Sequence, residues 1–284
     1  MDSSLEFLHQ QSLLCTEWIP FKDDLTEITK HISLVNKRLL ASTDTAHLIR
    51  RLQFLCYELR SQLAGNESVE NKFEILNDFF FKQKNFLVQL NIESEIDDLN
   101  CQSLFLENTL VQRSGCPMLI SLIYSHLALH IGLPLYFIDL EPKYFLKYEG
   151  LAKTLFVDLS RNGSFLTAEE LLESIRCRLK DENISISQIC ESLTFREFLV
   201  SYLSHFKKKF IMQSKLNELL IIQNSLLDLL PQNLNLLGER AILYYKLNLP
   251  KNSVLDLKRY FSFQHRDRAP QELIRIYDEL IGHS

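Results

Sequence analysis

The segment Pro117–Ile131 constrains this chain more than any other. It is apolar nearly all round, interrupted only by Ser121, Ser125, His126 and His130. A surface helix carries one apolar stripe, so a helix apolar on every side has to lie at the centre of a domain. Gln112-Arg113-Ser114-Gly115-Cys116 leads into it, Pro117 takes the first helical position, and Gly132-Leu133-Pro134 ends it. The chain must therefore wrap other elements around this helix. Cys116 falls at the helix start, where unpaired N–H groups and the positive dipole end favour a thiolate over a thiol.

The flanking patterns suit that wrapping. Residues 1–112 read as helices. The clearest runs from Ser42-Thr43-Asp44 through Leu48, Leu52, Leu55, Leu59 and Leu63 to Gly65, with spacings of three and four that form one stripe. A second runs from Val69 through Phe73, Leu76 and Phe80. After Gly132, the short aromatic or β-branched runs Leu135–Leu140, Tyr144–Tyr148 and Thr154–Asp158 are separated by Glu141-Pro142-Lys143 and Gly150, which predicts three antiparallel strands. Thr167 with Glu170, and Thr194 with Glu197, are capping boxes that open further helices.

Past residue 194 the reading is wholly helical. Pro231, Pro250 and Pro270 fall 19 and 20 residues apart, each just ahead of an apolar helical pattern, which implies helical hairpins. An offset of 34 residues pairs Leu203 with Leu237, Phe210 with Tyr244, Leu220 with Val254, Leu226 with Tyr260 and Leu227 with Phe261. That period belongs to tetratricopeptide-like repeats. Ala241, Tyr244 and Ser253 suit the second repeat, whereas Leu219 occupies the small-residue site of the first.

Composition narrows the function classes. An apolar share of 46%, with 7 Gly and 7 Pro, is that of a globular protein with little low-complexity sequence. No apolar run reaches the ~18 residues of a membrane span. The acidic start Met1-Asp2-Ser3-Ser4-Leu5-Glu6 lacks a signal-peptide pattern, so the expected location is the cytoplasm. Cys15, Cys56, Cys101, Cys116, Cys177 and Cys190 show no CxxC spacing and fit reduced thiols. The formal charge of −5 divides into +4 for residues 195–284 (13 Lys/Arg, 9 Asp/Glu) and −9 for the rest (18 against 27). Lys207-Lys208-Lys209 sits between Phe206 and Phe210 and reads as a solvated helix face, so a nucleic-acid partner is not expected.

Leu76-Asn77-Asp78-Phe79-Phe80, Leu106, Leu110, Arg113-x-Gly115-x-Pro117, Ser121-Leu122, Tyr124, Ala128, Gly132-Leu133-Pro134 and Asp158 together resemble the bacterial SirB-type proteins. The likeness covers roughly residues 70–284. It implies an α+β, predominantly helical fold: a transglutaminase-like, papain-like core with a small antiparallel sheet, followed by an all-α tetratricopeptide-like tail. The implied division is a helical region over 1–70, the core over 71–193 and the repeats over 194–284.

Thiol enzymes of this kind place Cys at the buried helix start, His on a following strand and Asp at the end of the next. Relatives read Pro-x-His-Phe where this chain has Pro142-Lys143-Tyr144-Phe145. The expected relict triad is thus Cys116, Tyr144 and Asp158. A phenol of pKa about 10 cannot take a thiol proton near neutrality as imidazole does, and positioned acid–base chemistry typically supplies about 10²–10⁴ in rate. Lys143, one residue away on the strand, should face the opposite side. Bland roles compete: Cys116 as a small buried hydrophobe, Asp158 as a turn former. His126 and His130, at i and i+4, lack an evident further ligand, so neither metal nor cofactor is expected. The sequence favours a non-catalytic pseudoenzyme that binds a protein or peptide. The alternative is a thiol hydrolase or acyltransferase using Cys116 with a non-standard base.

Overall fold

The computed structural model describes residues 25–40, 44–90, 101–140, 143–150, 154–179, 185 and 191–282. The reading of residues 1–24, Ser42-Thr43, the Glu141-Pro142 turn, Cys15 and Cys190 lies outside these. The chain forms two compact units that divide between Leu199 and Val200. Among the described residues no helix is long and apolar enough to cross a membrane.

In the first unit, α1 (Leu25–Leu39), α2 (Thr45–Arg60), α3 (Val69–Asn77) and α4 (Leu106–Gln112) surround α5 (Pro117–His130). Every residue of α5 from Met118 to Ala128 is buried, as an all-round apolar helix requires. Asp44 caps α2 by accepting from the N–H groups of Ala46 and His47. The helix buries Leu48, Leu52, Cys56 and Leu59. It stops at Arg60 rather than at Gly65, because Ser61 already turns its N–H back to Leu59 and Tyr57.

The sheet is an antiparallel meander of β3 (Tyr136–Leu140), β4 (Lys143–Glu149), β5 (Thr154–Asp158) and β6 (Ser164–Leu166). β6 is a fourth strand beyond the three expected. Asn162 and Gly163, both at positive φ, reverse the chain after a 3-10 turn at Leu159–Arg161. With only three residues, β6 shows no readable alternation. Ile138, Phe145 and Phe156 on one face pack with Leu171, Leu172 and Ile175 of α6 (Ala168–Leu179). Thr167 and Glu170 form the expected capping box at its start. β4 also packs on α5.

Asn77 ties three elements together. Tyr124 of α5, fully buried, donates its hydroxyl to Asn77 Oδ1 at 2.7 Å. Asn77 Nδ2 donates to the Gly163 carbonyl at 3.2 Å. A Cβ on Gly163 would stand 2.1 Å from Asn77 Oδ1, so the turn needs glycine for space as well as for its φ of +76°. A π-turn over Asp78–Gln83 follows α3. It sends Phe80 against Phe86, stacked at 4.4 Å, and edge-on to Tyr124 at 5.1 Å.

The second unit is helical. α7 (Phe195–Met212) begins in the first unit at the expected Thr194–Glu197 capping box and continues into the second. It is followed by α8 (Leu216–Leu229), α9 (Leu234–Lys246), α10 (Pro250–Phe263) and α11 (Gln271–Gly282). Three of the pairs spaced at 34 residues are buried in both members: Leu203 and Leu237, Phe210 and Tyr244, Leu226 and Tyr260. Arg240 makes a two-pronged pair with Asp256, at 2.7 and 2.8 Å, and also donates to Asn224 at 2.9 Å. Ser253, fully buried, donates to the Ala241 carbonyl at 2.8 Å, which explains the small residue there.

Asn77→Ala should destabilise the protein by about 1–3 kcal/mol, because it leaves the Tyr124 hydroxyl buried without its acceptor. Urea midpoints test this. In a double-mutant cycle, Asn77→Ala with Tyr124→Phe should cost less than the sum of the single changes.

Candidate active site

Four contacts place Cys116. β1 (Leu87–Val88) pairs in parallel with β2 (Ser114–Gly115), through Leu87 N–H to Arg113 O at 2.8 Å and Gln89 N–H to Gly115 O at 2.9 Å. Cys116 N–H donates to Ser103 O at 3.3 Å, and Ile120 N–H closes the first helical bond onto Cys116 O at 3.1 Å. Gly115 is required for close approach, since a Cβ there would meet the buried Thr109 side chain at 2.5 Å. Arg113 ends α4 in the left-handed conformation at φ 56°. Cys116 thereby becomes the residue that precedes α5, as the sequence implied.

Its ionisation goes the other way. Cys116 is 4% exposed, and burial pushes its thiol up from 9.0 to about 12; the nearby N–H groups of Leu119 and Met118 offset only part of that. The rise corresponds to about 4 kcal/mol in favour of the thiol. A helix N-terminus supplies at most about 2 kcal/mol in partly buried settings, so desolvation wins. The pull of the helix end toward a thiolate is outweighed by burial.

Tyr144 and Asp158 line one crevice with Pro117 and Ser121, and its described walls leave no room for a water molecule. Cys116, adjacent to Pro117 in the chain, is not among the residues that line it. Tyr144 donates its hydroxyl to Asp139 Oδ2 at 3.1 Å, its cross-strand partner on β3. Asp158 accepts from Ser160 N–H at 2.9 Å and from the Ser160 hydroxyl, so it works as a turn former. Lys143 was expected to face away, yet its Nζ reaches within 3.5 Å of Asp158 Oδ2 in the same crevice. The crevice lies where β4 begins and β5 ends, and a four-carbon stem at a strand terminus can bend round the pleat. Asp139 and Ser160, both partners of the triad positions, carried no signal in the sequence.

The remaining candidates separate. Lys207 pairs with Glu239, and Lys209 is buried to 9% exposure, so the lysine triplet is not a uniformly solvated face. His126 and His130 do have a third potential ligand: Cys56, on α2, brings its sulfur within 4.8 Å of both ligand atoms. Sequence reasoning missed it because only the packing of α2 on α5 brings the stripe to the histidines.

Neither a curated protein nor a solved structure matches the chain. A family model described as the transglutaminase-like superfamily does match, over residues 46–204. That span is more than half of the 284 residues and begins within α2, ahead of residue 71, where the core was expected to begin. It contains the helix that follows Cys116, the four-stranded sheet and the crevice between them. The chain therefore belongs to the transglutaminase-like superfamily.

Proposed function

We propose that this chain is a non-catalytic, cytoplasmic protein-interaction protein of the SirB type, in which a degenerate transglutaminase-like domain and tetratricopeptide-like helical hairpins serve binding. The observation that carries the reading is the state of Cys116: a buried thiol held protonated, with a phenol rather than an imidazole at the position relatives give to histidine. Nucleophilic catalysis needs the thiolate and a base to make it. Among the described residues neither is in place at Cys116: burial favours the thiol, and Tyr144 carries a phenol.

Binding has its own support. A groove of about 370 Å³ on the first unit is lined by His47, Arg50, Arg51, Arg113 and the Lys84–Glu58 ion pair around the exposed ring of Phe54. Guanidinium groups beside an aromatic suit an acidic peptide carrying an apolar anchor. Tetratricopeptide-like hairpins stack into a surface of the kind that holds peptides.

Iodoacetamide labelling of native protein near neutrality, read by peptide mass spectrometry, tests the catalytic half. Exposed Cys177 should label readily, and Cys116 only after denaturation. A Cys116 thiolate that titrates well below neutral pH would overturn the reading in favour of a thiol hydrolase or acyltransferase.

Stability should follow the same thiol. Its folded pKa of about 12 lies above the ordinary 9.0, so its contribution is fully present below pH 9.0 and is lost as pH rises toward about 12. The slope is at most about 1.36 kcal/mol per pH unit. Denaturant midpoints across alkaline pH should fall more steeply for wild type than for Cys116→Ser.

The binding half is tested by pull-down of cell lysate with mass spectrometry. Cys116→Ser should retain every specific partner, whereas Arg50→Glu combined with Arg113→Glu should lose those that carry acidic segments. Loss with Cys116→Ser and retention with the charge reversals would count against it.

A further inference from the structure

The side of α5 that meets α2 carries an arrangement the crevice chemistry does not use. Cys56 lies on the buried stripe of α2 at 4% exposure, and His126 is buried at 5% on α5. His130, one turn on, is exposed. One ligand atom from each of the three falls within 4.8 Å of the others, and the two imidazole rings stand 4.8 Å apart, tilted by 42°. We propose that Cys56, His126 and His130 form a mononuclear zinc site that clamps α2 to α5, with a water as fourth ligand on the exposed His130 side.

Geometry comes first. Zinc bonds of about 2.0–2.1 Å to nitrogen and about 2.3 Å to sulfur put tetrahedral ligands about 3.3–3.6 Å apart. From 4.8 Å, closure takes about an ångström of side-chain adjustment, which His130 at the surface can supply. Histidines at i and i+4 share a helix face, and the third donor comes from a different, packed helix, so the site exists only in the folded chain.

Donor chemistry narrows the ion. One sulfur and two imidazole nitrogens, with no carboxylate in the cluster, suit zinc and exclude a magnesium or calcium preference. His130 is also oriented as a ligand should be. Its Nδ1 lies 3.0 Å from the His126 carbonyl; with the proton on Nδ1 it donates there, leaving Nε2 as the basic nitrogen. Cys56 brings an S–H group to the cluster, and the thiolate is the form that binds a metal. Coordination forms a Zn–S bond and releases that one proton to solvent, while both imidazoles bind neutral. The bound cluster carries a net charge of +1, which water at the open position can solvate.

Cobalt(II) is the probe. Full-length protein treated with chelator and titrated with Co²⁺ should reach one equivalent, with an intense thiolate-to-cobalt charge-transfer band that excess Zn²⁺ abolishes. Zinc affinity follows from competition with a chromophoric chelator. Cys56→Ser should abolish the band. His130→Ala, at an exposed position, should keep the fold by circular dichroism and weaken zinc binding on the order of 100-fold. Zinc should raise the melting temperature of wild type but not of His130→Ala. Failure of wild type to develop the band would overturn the site. So would a band that survives in folded Cys56→Ser, or His130→Ala binding zinc as wild type does. If Cys56→Ser does not fold, the His130→Ala affinity decides.

Discussion

Burial of α5 is the constraint on which the first unit depends. Eleven consecutive residues, Met118 to Ala128, are removed from solvent, and at about 1.5–3 kcal/mol for each large apolar side chain their transfer dominates the local energetics. A helix buried on all sides needs neighbours in every direction. α1, α2, α3 and α4 supply the helical ones, and β4 supplies the sheet. The entry at Gly115-Cys116-Pro117, where Gly115 lies close against Thr109, and the exit at Gly132-Leu133-Pro134, where Gly132 takes a positive φ, are tightly specified.

The same burial sets the chemistry at the helix start. A helix N-terminus lowers a thiol pKa when the sulfur is near a surface. Here the sulfur is enclosed, and desolvation outweighs the dipole. Tyr144 and Asp158 meet at the crevice beside Pro117, but Asp139, Ser160 and Lys143 take up their polar atoms. A catalytic relay asks each of those groups to face the next along the chain of proton transfer. Here Tyr144 is bonded to Asp139, and Asp158 to Ser160 and Lys143.

Several polar groups inside the core join elements. Asn77 links α3, Tyr124 and the Gly163 turn, and in the second unit Arg240 links α8, α9 and α10 through Asn224 and Asp256. A buried donor or acceptor left unpaired costs more than a pair gains, so such residues fix which elements meet. Cys56, His126 and His130 follow the same pattern across α2 and α5, with a metal as the joining group.

The central helix, the leucine stripe of α2, both capping boxes and three of the four strands of the antiparallel sheet were legible in the sequence, because each is a local pattern of apolar spacing or cap chemistry within a few residues. So was the loop that carries Cys116 to the start of α5. Other features depended on contacts between segments far apart in the chain. β6 is too short for alternation to show, and the reach of Lys143 into the crevice depends on where β4 begins. The Cys116 pKa depends on enclosure, which no residue near it encodes, and Cys56 becomes a neighbour of two histidines only when α2 docks on α5. The sequence by itself determined the main helices, three strands of the antiparallel sheet and that one helix must be central. Tertiary structure alone decided the protonation of Cys116, the partners of Tyr144 and Asp158, and the meeting of Cys56 with His126 and His130, because desolvation and side-chain proximity are properties of packing rather than of local pattern.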